Sequence, residues 1–192
     1  MERRRWAARW EGGLLKIPAT ALIVFMLAAR LAGGAGSPAL DEYNAKAALL
    51  YNLARFVEWP AGTFTGPRDP IVACTLGQSP LNPVLERAVK GKPIDDRLFV
   101  VRQVQDVRQA SGCHILFVGT PDRKRWRSII ADVRGSSLLT VGDAEGFAVE
   151  GGIVDFKIEG EKIRIEINLE AAERGKLRLS ARLLSLAEIV RK

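Results

Sequence analysis

Three features of the sequence predict an α/β fold: strand-like and helix-like segments that alternate, two apolar runs without alternation, and one period-two stretch near the C-terminus. The expected architecture is a single domain with a largely parallel mixed sheet, helices on both faces and a C-terminal β-hairpin at the edge. Cys113-His114-Ile115-Leu116-Phe117-Val118 and Leu138-Leu139-Thr140-Val141-Gly142-Asp143 are the apolar runs. Both end in turn residues, the pattern of strands covered on two faces. In residues 153–168, Val154, Phe156 and Ile158 alternate with Asp155 and Lys157, and Ile163, Ile165 and Ile167 alternate with Arg164 and Glu166. Such alternation predicts one buried face and one wet face, with Glu159-Gly160-Glu161 as the hairpin turn.

Residues 1–36 read as a signal peptide. Arg3, Arg4, Arg5, Arg9 and Lys16 make a positive start, an apolar core runs from Ala19 to Leu31, and small residues follow from Ala32 to Gly36. The apolar run is shorter than the roughly 20 residues that span a bilayer, so cleavage near Ala35 and an exported domain over residues 37–192 are expected, an uncleaved N-terminal anchor being the other reading. The leader holds six of the 29 Lys and Arg and two of the 22 Asp and Glu, which leaves the body at +3. A charge that small does not mark a nucleic-acid binder. Arg123, Lys124, Arg125 and Arg127 read as a solvated helix face.

The first helix of the domain is expected to start at Asp41, with Ala45, Ala48, Leu49, Asn52, Leu53 and Phe56 along one side. It should end near Glu58-Trp59-Pro60, where proline forbids continuation. A strand over Ile71–Leu76 follows, then a helix over residues 81–90 stopped by Gly91, a strand over 98–104 and the strand from Cys113. Gly119-Thr120-Pro121-Asp122 opens a helix with Trp126, Ile129, Ile130 and Val133, closing at Gly135. After the hairpin, a short helix over 169–174 stops at Gly175. A last helix from Ser180 sets Leu183, Leu184, Ala187 and Val190 on one side.

Little in this body points to catalysis. Gly142, Gly146, Gly151 and Gly152 lack the spacing of a phosphate loop, and no serine sits in a nucleophile elbow. His114 is the only histidine, so no zinc set of the usual kind can be assembled, and it reads as a structural strand residue. Asp143 and Glu145 stand near the carboxyl end of a strand, where open α/β sheets bind ligands; an Asp-initiated turn is the plainer reading. Cys74 and Cys113 both fall on expected strands. A disulfide forms if those strands are neighbours, and two buried thiols are the other arrangement.

Four stretches carry a family resemblance. They are residues 43–60 (Tyr43-Asn44-Ala45-Lys46 through Phe56-Val57-Glu58-Trp59-Pro60), Cys113-His114-Ile115-Leu116-Phe117, Leu139-Thr140-Val141-Gly142-Asp143 with Phe147 and Gly151-Gly152, and Ile167-Asn168-Leu169 with Ala171-Ala172 and Leu183-Leu184. In this order they resemble the YfiR family of periplasmic regulatory proteins. The resemblance implies a protein that is not an enzyme and needs no cofactor or metal. It implies binding to the periplasmic part of an inner-membrane sensor, a diguanylate cyclase above all, with lower cyclic di-GMP signalling and biofilm formation. An outer-membrane lipoprotein partner, a homodimer and redox sensitivity are implied in the same way. Cys74 and Cys113 match a family disulfide, while the second cysteine pair that some members carry is absent between Phe147 and Phe156. As partner-binding residues the sequence offers Phe147 first, then Leu179 and Leu183, with core packing the plainer reading of each. The alternative function is small-ligand binding in a crevice near Gly142-Asp143.

Overall fold

The computed structural model describes residues 38–160 and 162–191. The expected signal peptide lies outside the described residues, as do Ser37, Glu161 of the hairpin turn and Lys192.

Among the described residues eight strands form one mixed sheet around a parallel centre. In chain order they are β2 (Ile71–Leu76), β3 (Pro93–Ile94), β4 (Arg97–Val104), β5 (Ile115–Val118), β6 (Leu139–Gly142), β7 (Val154–Glu159), β8 (Lys162–Asn168) and β10 (Glu188–Val190). Their spatial order is β10-β8-β7-β6-β5-β2-β4-β3. Strands β4, β2, β5, β6 and β7 run parallel, each to the next, and β7 and β8 form the antiparallel hairpin. Two further strands, β1 (Val57–Glu58) and β9 (Arg178–Leu179), pair antiparallel as a separate ribbon.

Helices cover both faces. On one face α1 (Pro38–Leu53) and α2 (Leu81–Val89) bury Leu50, Leu53, Leu81 and Leu85 against Ala73, Phe117, Val141, Val154 and Phe156. On the other, α3 (Arg123–Asp132) sets Trp126, Ile129 and Ile130 on Cys74, Leu116 and Val118. Asp122 caps α3 by accepting from the amides of Lys124 and Arg125 at 3.0 and 3.3 Å, which fixes where the basic run begins. The short α4 (Leu169–Arg174) is capped by Asn168, whose Oδ1 accepts from Ala171 N at 2.9 Å.

Three sequence expectations change at the two ends of the domain. Helix α1 stops at Leu53, because Val57 and Glu58 are drawn into the ribbon with β9, and a 3₁₀ turn over Ala54–Phe56 makes the transition. Its buried stripe is Lys46, Ala47, Leu50 and Leu53, so Ala45, Ala48 and Asn52 face outward instead. The last helix shrinks to α5 (Ala181–Leu184), and Ile189 and Val190 pair with Ile167 and Asn168 as β10. Strand β8 offers a row of unpaired backbone groups there, and pairing β-branched residues with it outweighs a weak helical pattern. The hairpin thus stands at its end of the sheet with β10 added outside it.

Candidate functional site

Phe147 occupies the core. Its side chain has no exposed surface, and its ring lies against Gly142 and Gly152, where an added Cβ on either glycine would overlap it. Trp126 of α3 meets the same ring at a centroid distance of 5.6 Å. The sequence's first choice of surface anchor is therefore a packing residue. The chain needs two glycines there so that β6 and the start of β7 can approach an aromatic ring.

The same packing fills the place expected for a ligand crevice. On one side Phe147 covers Gly142. On the other, Lys46 of α1 donates to Asp143 at 2.7 Å and lies 2.6 Å from Glu42. Lys46 is buried, and burial pulls its pKa down, but the hydrogen bonds it donates to Asp143 and Glu42 outweigh that and hold it above the ordinary lysine value. A cation locked between two carboxylates closes the carboxyl end of β6. Asp143 thus has a structural partner 97 residues away, which local sequence could not reveal.

Leu179 and Leu183 fall in a different region, on and beside the β1–β9 ribbon. Leu179 is half-buried opposite Val57, and Leu183 is 3% exposed. The ribbon is pinned by Ser180 N donating to Phe56 O at 2.9 Å, and the Ser180 hydroxyl caps α5 by accepting from Leu183 N at 3.2 Å. One cleft is lined by both strands of the ribbon and another by the residues that flank it. One, of about 570 Å³, is lined by Glu58, Trp59, Pro60, Glu173, Lys176 and Arg178. The other, of about 550 Å³, has an apolar floor of Leu49, Phe56, Ile165 and Leu183, with Arg55, Arg182 and Asp95 around it. Leu186 stands on its rim with 69% of its surface exposed, the largest value among the exposed large apolar side chains described. Arg182 lies 5.8 Å from the Phe56 ring centroid, and neither it nor Arg55 forms an ion pair among the described residues. Apolar floor, projecting leucine and two guanidiniums suit an amphipathic protein surface bearing carboxylates.

A model of the YfiR/HmsC-like family matches residues 43–188. The chain belongs to that family. The match begins in the first turns of α1 and ends in β10, so it takes in the sheet, both helix layers and the ribbon with its clefts. At family level this means periplasmic regulators of cyclic di-GMP signalling rather than catalysts. No curated protein matches the sequence. Among the described residues no helix is long and apolar enough to cross a membrane, and no group of three His, Cys, Asp or Glu side chains could hold a metal ion.

The remaining conspicuous residues are structural. Cys74 and Cys113 form a disulfide across 39 residues, with Cα atoms 5.8 Å apart, joining β2 to the residue before His114. Arg102 donates to Ser111 O at 2.7 Å and to Cys113 Sγ at 3.0 Å, which holds the loop before β5 against β4. His114 accepts from Val72 N through Nδ1 at 3.0 Å and stacks on Phe64 at 4.5 Å, with Trp59 edge-on at 5.9 Å. Arg97 covers the other side of Phe64 at 3.9 Å and donates to the carbonyls of Gly66 and Asp69. This clasp ties the 59–70 loop to the sheet. Burial, then the nearby Arg97 charge, holds the His114 pKa below the ordinary histidine value, so the ring is kept neutral as an acceptor.

Proposed function

We propose that this chain is exported to the periplasm, by a signal peptide over residues 1–36, and there binds and represses the periplasmic part of an inner-membrane diguanylate cyclase, lowering cyclic di-GMP. The family match over residues 43–188 carries this reading. The chain acts by binding, without catalysis of its own. Its docking surface is the groove floored by Phe56, Ile165 and Leu183, with Leu186 as the projecting anchor, Arg55 and Arg182 as the charged rim, and Leu179 in the adjoining ribbon. Burial of an exposed leucine of this size is worth about 2 kcal/mol, enough to change affinity some thirtyfold. A homodimer and capture by an outer-membrane lipoprotein belong to the same proposal.

The test is intracellular cyclic di-GMP in the native host. Deleting the gene should raise it, the wild-type protein should restore it, and Leu186→Asp or Arg182→Glu, folded and exported normally, should not. Unchanged cyclic di-GMP on deletion would overturn the reading.

The second reading, a small-ligand-binding protein, moves from Gly142-Asp143 to the cleft at Trp59, where Glu58, Glu173, Lys176 and Arg178 surround an aromatic wall. A charged cleft with one indole suits a small zwitterion or an aromatic acid. Thermal stabilisation by such compounds, lost in Trp59→Ala, would favour it.

A further inference from the structure

A row of carboxylates crosses the sheet where β10, β8 and β7 lie side by side. The register pairs Glu188 with Glu166 and Glu166 with Asp155. In-register residues share a face and stand about 5 Å apart, so the three acids are neighbours. Gly142 is next in register after Asp155, and Asp143 follows it in the chain. The sequence pattern makes this face wet, yet Asp155 is 1% exposed and Glu166 6%. What covers Asp155 is the strap of residues 143–152 that joins β6 to β7.

The charges around Asp155 come from every element packed on it. From β8, Glu166 is answered by Lys157 at 3.1 Å. From the end of β6, Asp143 is answered by Lys46 of α1 at 2.7 Å. On β10, Glu188 is exposed and forms no ion pair among the described residues. In the strap, Glu150 is drawn away towards Arg123 and Arg127 of α3. Asp155 itself pairs with no cation among the described residues. Its Oδ2 accepts from Phe147 N at 3.0 Å, the nearby Ala148 amide favours the charged form, and among the described residues its Oδ1 accepts from nothing. A buried carboxyl oxygen with no donor, beside other carboxylates, is the natural seat of a proton.

We propose that Asp155 is a proton-sensitive latch: protonated, it holds the 143–152 strap closed over the sheet, and loss of the proton releases the strap. The strap's other ties are the ion pairs of Asp143 with Lys46 and of Glu150 with Arg123 and Arg127, together with neutral contacts. Asn168 Nδ2 donates to Ala148 O at 2.8 Å, and the Phe147 ring fills its slot between the glycines. Released, the strap bares that slot and frees Val149, already 40% exposed. In a compartment that shares the pH of its surroundings, the latch converts external alkalinity into exposed apolar surface.

The direction follows from linkage. In the closed strap, burial and then the charge of Glu166 push the Asp155 pKa up from 3.8 to about 7. In an open strap the carboxyl is hydrated and returns towards 3.8. The closed form therefore holds the proton more tightly, and the opening constant rises up to tenfold per pH unit between about 4 and about 7, then levels off.

The experiment is amide hydrogen exchange of the purified protein from pH 5 to 8, read as protection factors. Those of Phe147 and Ala148 should fall by up to tenfold per unit towards pH 7, flatten above it, and lie below that of Leu116 in β5, because the strap opens without the sheet. In Asp155→Asn the pH dependence should vanish, and in Glu166→Gln the levelling should move to lower pH. Flat protection in the wild type, an unchanged slope in Asp155→Asn, an unmoved levelling pH in Glu166→Gln, or protection equal to that of Leu116 would overturn the latch. Should Asp155→Asn fail to fold, Glu166→Gln decides alone.

Discussion

Replacing Phe147 with alanine separates a core residue from a surface anchor. The ring is wholly buried, and aromatic side chains in such places remove roughly 150–250 Å² from water; at the lower end, taken because alanine keeps the Cβ, this is about 4 kcal/mol at 25 cal/mol per Å². Relaxation into the void is limited, because two of the neighbours are glycines with no side chain to move in. The expected loss is therefore about 4 kcal/mol, within the usual 3–5 for such a truncation. For a chain of this size each kcal/mol lowers Tm by roughly 2–4 °C, so a fall of about 8–16 °C is expected in thermal unfolding followed by circular dichroism. An anchor on the surface would change stability by no more than about 0.5 kcal/mol. Gly152→Ala provides the reciprocal test, since its new methyl overlaps the ring: it should cost about 1–3 kcal/mol in the wild type and markedly less beside Phe147→Ala. A Tm change below about 2 °C for Phe147→Ala, or additive losses in the double variant, would refute this account of the slot.

Three further outcomes follow from the geometry. Removing the Cys74–Cys113 bond, by reductant or by Cys74→Ser with Cys113→Ser, frees a loop of 39 residues and should cost about 4 kcal/mol on the chain-entropy estimate, seen as a lower denaturant midpoint. Lys46→Met leaves Asp143 and Glu42 without their cation and should cost about 3 kcal/mol, of which adding Asp143→Asn should recover a large part by denaturant unfolding. His114 has a folded pKa below the 6.5 of the unfolded chain, so the unfolded state takes up more protons on acidification and stability contributed by the neutral ring is lost as pH falls below 6.5. In His114→Asn, whose Oδ1 can replace Nδ1 as acceptor for Val72 N, that loss should be absent from the pH dependence of Tm.

Sequence patterning works here wherever a residue's fate is decided by its neighbours along the chain. The runs 113–118 and 138–142 announce buried parallel strands because helices on both faces leave no solvent side, and α3 is legible from Asp122 and the spacing of Trp126, Ile129 and Ile130. Patterning misleads where distant chain decides. Asp155 and Glu166 read as solvent-facing in an alternating strand, but the 143–152 strap and β10 lie over or beside them. Ile158, on the side read as buried, is 47% exposed because the hairpin tip runs past the core. Phe147 looks like a protruding aromatic among small residues; the glycines that suggest a loop are there to receive its ring. The groove at Leu183 was half legible: the leucine was visible, while Arg55, Phe56 and Ile165 reach it from elements far apart in sequence. The clasp of Trp59, Phe64, Arg97 and His114 had no local signal at all, since it joins a loop to two strands.

The most direct test of the regulatory reading is recovery of a partner from solubilised inner membranes of the native host, using the purified wild-type protein and Leu186→Asp side by side, with mass spectrometry of what is retained. The account predicts a membrane diguanylate cyclase on the wild-type protein and its loss from the variant, with both proteins equally stable. A wild-type protein that retains no membrane cyclase, or a variant that retains it equally well, would contradict the regulator or its groove respectively.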